Sequence, residues 1–191
     1  VSLNTNGYVS FTVPTGPTWT NSFCIEFYLY LNTQSSTLGY ETVLITTSIG
    51  TQITFVNNNG ANSITGFRIN SSGYTNFISM PFTFNNNTWY HIALSRKTGV
   101  TRLFVNGTLE GSAYTDTNTY NQSTVRIGSN FNGAYGLTGY IDEIRVTKGL
   151  GRYTTTFTPA IYAYANDDYN VLLLHLDGSN NSTIIVDDST V

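Results

Sequence analysis

The sequence predicts an all-β fold, an antiparallel sandwich of two sheets. Three observations predict it. Apolar side chains recur with a period of two, turn clusters rich in Asn and Gly recur at about 8–12 residues, and helix-forming residues are scarce. The 191 residues include one Met, two Lys and four Glu, but 14 Tyr and 11 Phe. Hydrophobic residues make up 40% and charged residues only 10%, so neutral Asn, Thr and Ser must tile the surface. A mainly helical protein is excluded, and so is a disordered one, which needs few aromatics and a high net charge. A net charge of −3 argues against nucleic acid as a partner. No run approaches the roughly 18 apolar residues of a spanning helix, so membrane insertion is not expected.

A first strand is expected over 7–13. The longest follows, where Phe23, Ile25, Phe27, Leu29 and Leu31 alternate with Cys24, Glu26, Tyr28 and Tyr30 to give one buried face. Cys24 is the single cysteine, so it makes no intrachain disulfide and reads as a small packed hydrophobe. Shorter strands over 42–46, 52–56 and 64–70 are punctuated by Asn57-Asn58-Asn59-Gly60 and Asn70-Ser71-Ser72-Gly73. After Asn85-Asn86-Asn87, the residues Tyr90, Ile92 and Leu94 alternate again up to the Lys97-Thr98-Gly99 turn. Leu103-Phe104-Val105 and Thr108-Leu109 flank Asn106-Gly107, the pair that supplies the two positive φ angles of a type I′ hairpin. Strands over 124–128, 140–147 and 171–176 complete about a dozen. That is too many for an immunoglobulin-sized unit and suits a large jelly roll.

No shift in composition divides residues 1–160, and one domain is expected over 1–165. Residues 166–191 are either its closing strand or the start of a following module. All eight basic residues stand at or before Arg152, and the last 31 residues carry −5. The Asp residues of that tail suit turns and caps, or a calcium ligand set. With no initiator Met and no signal peptide at its start, the chain reads as a processed product or a piece of something longer.

Five motifs carry a family resemblance. Ser22-Phe23-Cys24-Ile25-Glu26-Phe27-Tyr28-Leu29-Tyr30 resembles the “FTIEFWVY” strand of laminin G-like domains in the concanavalin A-like lectin/glucanase superfamily. Trp89-Tyr90-His91-Ile92-Ala93-Leu94-Ser95-Arg96 resembles its “WHHVALVR” strand, and Arg102-Leu103-Phe104-Val105-Asn106-Gly107 its “LYVNG” hairpin. Val125-Arg126-Ile127-Gly128 is similar to its “IGS” strand, and Gly139-Tyr140-Ile141-Asp142-Glu143-Ile144-Arg145-Val146 to its “G-x-IDEVRI” strand. Thr147-Lys148-Gly149, Arg152-Tyr153, Phe157-Thr158-Pro159 and Leu172-Leu173-Leu174-His175-Leu176-Asp177-Gly178 are similar to such modules in tail and fibre proteins of bacteriophages. The resemblance implies a concanavalin A-like two-sheet antiparallel jelly roll, on a virion or another extracellular surface, with a role in glycan binding or surface display.

The chemistry expected of the chain is recognition rather than catalysis. Retaining glycoside hydrolases of this fold place two carboxylates on one strand face, about 5–5.5 Å apart. Here Glu26, Glu41 and Glu110 have no acidic partner at i+2, and Asp142 and Glu143 are adjacent, on opposite faces unless a bulge intervenes. His91 and His175 stand in strands without a triad arrangement. Asp142 and Glu143 read as loop-tying carboxylates or, since relatives often carry calcium at the sandwich rim, as a calcium position. An unchanged melting temperature on adding EDTA and on returning calcium removes the metal. Sugar binding needs flat rings beside neutral polar groups, and loops on a rigid sandwich are its usual place. That points to Tyr120, Asn130, Asn132 and Tyr135, with surface glycans or polysaccharide as partner. The rival reading is a structural subunit of a fibre or virion, a homo-oligomer or chain of fibre neighbours joined at sheet edges. Val171, Leu172, Leu173 and Leu174 are then the candidates for strand exchange.

Overall fold

The alternation of Phe23–Leu31 sets the centre of the fold. In the computed structural model this segment is a strand whose Phe23, Ile25, Phe27, Leu29 and Leu31 are all at most 1% exposed. The structure describes residues 2–3, 7–12, 22–32, 42–47, 52–58, 63–70, 73–82, 84–116, 124–129, 136, 138–179, 182 and 184–190. In chain order the strands are β1 (Ser2–Leu3), β2 (Val9–Thr12), β3 (Phe23–Leu31), β4 (Thr42–Thr47), β5 (Gln52–Asn58), β6 (Ser63–Asn70) and β7 (Gly73–Pro81). They continue as β8 (Trp89–Lys97), β9 (Val100–Val105), β10 (Thr108–Thr115), β11 (Thr124–Ile127), β12 (Gly139–Lys148) and β13 (Asn170–Leu174). Among the described residues there is no helix.

All pairings are antiparallel, and they build two sheets. The seven-stranded sheet runs β1-β12-β3-β8-β9-β10, with β13 also on β12, and the six-stranded sheet runs β2-β11-β4-β5-β6-β7. This is the jelly-roll sandwich that the sequence predicts. β1 and β13 share one edge of β12, at Gly139–Tyr140 and at Ile144–Thr147 respectively. Between the sheets lie the inward residues of β3, Ile92 and Leu94 of β8, Leu103 and Val105 of β9, and Ile141, Ile144 and Val146 of β12. Leu172 and Leu174 of β13 join the same core. Two strands escape the sequence reading. β7 has no sustained alternation in Gly73–Pro81, and β1 is two residues long.

The seven-stranded sheet is also covered on its outer face. Residues 149–169 cross it as a strap without regular structure. The strap is tied by the Gly149 amide to the Ser22 carbonyl (2.9 Å), the Tyr153 amide to Ser95 Oγ (3.1 Å) and the Phe157 amide to the Gly107 carbonyl (3.0 Å). Tyr153 and Phe157 stack face to face, with centroids 3.5 Å apart, and Phe104 packs edge-on against both. The Asn106-Gly107 hairpin forms as expected, with φ of 49° and 77°. Gly107 is needed twice, for that φ and because a Cβ there would strike the Phe157 carbonyl oxygen. Gly107→Ala should therefore cost about 2 kcal/mol or more and lower Tm by about 4–8 °C, read by thermal denaturation.

Candidate functional site

Register arranges the outer face of the seven-stranded sheet in rows that cross β12, β3 and β8. They are Tyr140–Tyr30–Trp89, then Asp142–Tyr28–His91, then Arg145–Glu26–Ala93, then Thr147–Cys24–Ser95. The last two rows lie under the strap, where Glu26, Ala93 and Ser95 are fully buried, and His91 of the row before them is 1% exposed. A buried carboxylate must be paired, and Glu26 is surrounded by donors. Arg145 Nε and Nη2 reach Oε1 at 2.9 and 2.8 Å, the Tyr153 hydroxyl donates to Oε2 at 2.8 Å, and His91 Nε2 stands 3.2 Å from Oε2. Burial pushes the Glu26 carboxyl up, but the His91 contact and the Arg145 charge outweigh it, so its pKa falls below the ordinary value. The Tyr153 and Tyr164 hydroxyls are pushed well above theirs, by burial and by the Glu26 charge.

Tyr164 completes this cluster from the strap. Its hydroxyl lies 2.9 Å from His91 Nε2, and its ring lies 3.9 Å beneath the Arg145 guanidinium. Its amide donates to Glu143 Oε2 at 2.9 Å. Farther along, Arg152 joins Asp167 at 2.6 Å and Asn170 at 2.7 Å, which fixes the turn into β13. Every Glu26 donor is a side chain of the sheet or the strap, so the cluster is a clasp between them. Cys24 Sγ lies 3.9 Å from Glu26 Oε1, and burial followed by the Glu26 charge raises its pKa well above the ordinary thiol value.

The first row lies beyond the strap. Trp89 and Tyr140 are 46% and 42% exposed, and Tyr30 between them is half-buried. Ring centroids are 5.3 Å apart from Trp89 to Tyr30 and 5.6 Å from Tyr30 to Tyr140. The row ends at β1, where Ser2 pairs with Tyr140. There it meets a cavity of about 540 Å³, lined by Ser2, Tyr140, His175, Asp177, Asp188 and the Ile184-Ile185-Val186 stretch of the tail, among others. The tail is held by the Asp188 amide on the Leu173 carbonyl (2.9 Å) and the Leu173 amide on Asp187 Oδ1 (3.0 Å). A cavity lined by apolar side chains and a few polar groups, with aromatic rings at its edge, has the make-up of a small-molecule site.

A family model described as the concanavalin A-like lectin/glucanases superfamily matches residues 3–150. The chain belongs to that superfamily. Among solved structures, this concanavalin A-like chain is similar to a Bacteroides ovatus protein assigned to carbohydrate binding. The identity is 17% and the TM-score 0.67, over 98% of this chain and 54% of that one. It is also similar to domain 4 of AbnA, an extracellular arabinanase of Geobacillus stearothermophilus, in complex with arabinotriose (18%, TM-score 0.54, 70% and 65%). A third is the enzymatically active domain of tailspike protein 2 of bacteriophage CBA120 (13%, TM-score 0.57, 77% and 25%). The chain spans less than two thirds of each of these proteins, and at such identities the likeness shows the fold alone. No curated protein matches the chain.

Of the residues the sequence singles out in this concanavalin A-like domain, Tyr120, Asn130, Asn132 and Tyr135 lie outside the described residues. Asp142 and Glu143 stand at a β-bulge, where Glu143 takes φ 50° and the register with β3 shifts by one. Glu143 binds His175 Nδ1 with both oxygens at 3.0 Å. The Asp142 carboxyl is pushed up by burial, with Glu143 and Asp177 adding to it. Among the described residues, no three His, Cys, Asp or Glu gather closely enough to hold a metal ion. Leu172, Leu173 and Leu174 pair with β12 of their own chain, Val171 stands at the register shift beside them, and all four are at most 7% exposed. The sequence reading missed the ring row, although its members occupy outward positions of period-two strands. It missed the Glu26 clasp because the partners lie far along the chain.

Proposed function

We propose that the chain is a non-catalytic recognition module that binds carbohydrate, on a phage tail fibre or another extracellular surface. The observation that carries this is the Trp89–Tyr30–Tyr140 row, whose rings, inclined at 56° and 69° to their neighbours, offer apolar faces and edges to sugar C–H groups beside the polar groups of the adjoining cavity. The names of the similar structures lend support: a carbohydrate-binding assignment, a domain bound to arabinotriose and a phage tailspike. The non-catalytic part draws on Glu26, whose carboxylate is sealed under the strap with its donors in place. Tyr120, Asn130, Asn132 and Tyr135 remain proposed glycan-binding residues. Asp142 and Glu143 remain the proposed calcium position, with the EDTA melt as its test.

A glycan array and a polysaccharide pull-down of the folded chain test the reading. Retention is expected, and Trp89→Ala should weaken it at least tenfold, about 1.4 kcal/mol. Incubation with the retained polysaccharide should release no new reducing ends. A folded chain that retains no glycan overturns the binding role, and release of reducing ends overturns the non-catalytic one.

A structural role in a fibre is the second reading. It draws on the Ile184-Ile185-Val186 run, which is 75%, 44% and 61% exposed beside β13 and has the β-branched composition of an added strand. Under this reading Val171, Leu172, Leu173 and Leu174 remain the strand offered for exchange. Light scattering should then show an oligomer whose size is independent of concentration, and a clean monomer would set assembly aside.

A further inference from the structure

We infer that the ring row takes a linear, uncharged glycan of three or more units laid across the strands, with its end unit in the adjoining cavity; this rests on the carbohydrate reading above. Trp89, Tyr30 and Tyr140 are directly paired positions on β8, β3 and β12. The row therefore runs perpendicular to the strands, and the strand separation of about 4.8 Å sets the step between rings. The observed steps of 5.3 and 5.6 Å are nearly equal. A single sugar would occupy one ring, whereas a track of three rewards a chain.

The track is closed on the strap side, and its Tyr140 end leads into the cavity. On the strap side the next row is interrupted at Tyr28, whose hydroxyl donates to the Ala160 carbonyl of the strap. Beyond Tyr140, the cavity of about 540 Å³ falls within the roughly 300–1,000 Å³ of small-ligand sites. The carboxylates of Asp177 and Asp188 and the hydroxyls of Ser2 and Ser182 line it, and no Lys or Arg does so among the described residues. Carboxylates accept hydrogen bonds from sugar hydroxyls and repel uronate or sulfate groups. Asp142, two residues from Tyr140 on the same face, adds to that field. The cavity thus selects against acidic polysaccharides while the rings supply the area of contact.

Calorimetric titration of the full chain tests this, using β-1,4-glucan, xylan and mannan oligosaccharides of one to six units, galacturonan oligosaccharides of the same lengths, and the parent polysaccharides. In the neutral series that binds, affinity should rise at least tenfold from one to three units and level off by about four or five, as the rings and the cavity fill. Trp89→Ala and Tyr140→Ala should each lower trimer affinity at least tenfold without moving Tm, and Trp89→Phe should restore most of it. A monosaccharide that binds as tightly as the trimer overturns the inference. Galacturonan binding as tightly as the neutral series, or ring variants binding normally, does the same while leaving the carbohydrate reading in place. If no oligosaccharide and no parent polysaccharide binds, both fall together.

Discussion

Glu26→Gln is expected to lower the unfolding free energy by about 3–5 kcal/mol, because it removes the negative charge paired with a buried guanidinium. Arg145 is held at 2.8 Å from Glu26, with side-chain exposures of 10% and 0%, so the guanidinium left behind stays mostly out of water. Glutamine keeps the shape of the side chain and can still accept from Tyr153, so the loss reports charge rather than volume. The acid limb follows from the sign of the shift. The Glu26 pKa is lowered on folding, so its contribution is fully present above the unfolded carboxyl value of about 4.3 and is lost as pH falls through the folded value. The wild-type chain should therefore lose stability on acidification with one more proton of slope than Glu26→Gln. Urea melts between pH 2 and 7 read both effects. A variant within about 1 kcal/mol of wild type at pH 7, with the same acid slope, would show that the clasp contributes nothing net. Replacing both partners, Glu26→Leu with Arg145→Met, should recover part of the loss, since a paired apolar exchange leaves no orphaned charge.

The interior of the sandwich was legible because it depends on local alternation. Phe23 to Leu31, Tyr90 to Leu94 and the Asn106-Gly107 hairpin each carry their signal within a few residues, and each takes the expected form. β7 lacked such a signal, since the polar Thr75, Asn76 and Ser79 break the alternation of Gly73–Pro81. The strap has no period at all. Its place is set by contacts such as Tyr153 to Glu26, 127 residues apart, and Tyr164 to His91, 73 apart. One signal did exist in the sequence. The outward positions Cys24, Ala93, Ser95 and Thr147 are small on three neighbouring strands, which leaves room for the rings of Tyr153 and Phe157 to lie over the sheet. The ring row shows the same limit from the other side. Tyr30, Trp89 and Tyr140 are each visible as outward aromatics, but only strand register, which no single segment encodes, brings them into one line.

Ending the chain at residue 150, where the family match stops, should abolish cooperative folding. Such a truncation removes β13, whose Val171, Leu172 and Leu174 are buried in the core at 7%, 3% and 3% exposure. Three such side chains at about 1.5–3 kcal/mol each are already comparable with the roughly 5–15 kcal/mol that holds a domain together. The same cut strips the strap from Phe104, Ala93 and Glu26, each 0% exposed in the intact chain, and takes Tyr153 from the Glu26 carboxylate. It also opens the edge of β12 over Ile144–Thr147, leaving four core-facing or clasp residues beside unpaired backbone. The expected product is an aggregating or molten chain without a sharp thermal transition. Ending the chain after residue 179 instead keeps the strap and β13, and removes the tail that walls the cavity. That shorter loss should leave a cooperative transition within a few degrees of the full chain while weakening glycan retention. If the 150-residue chain melts as sharply as the full one, residues 151–176 are an appendage and the domain boundary belongs before the strap. If only the longer chain folds, the strap and β13 are integral to the sandwich, and the recognition face exists because the segment beyond the family match holds it in place.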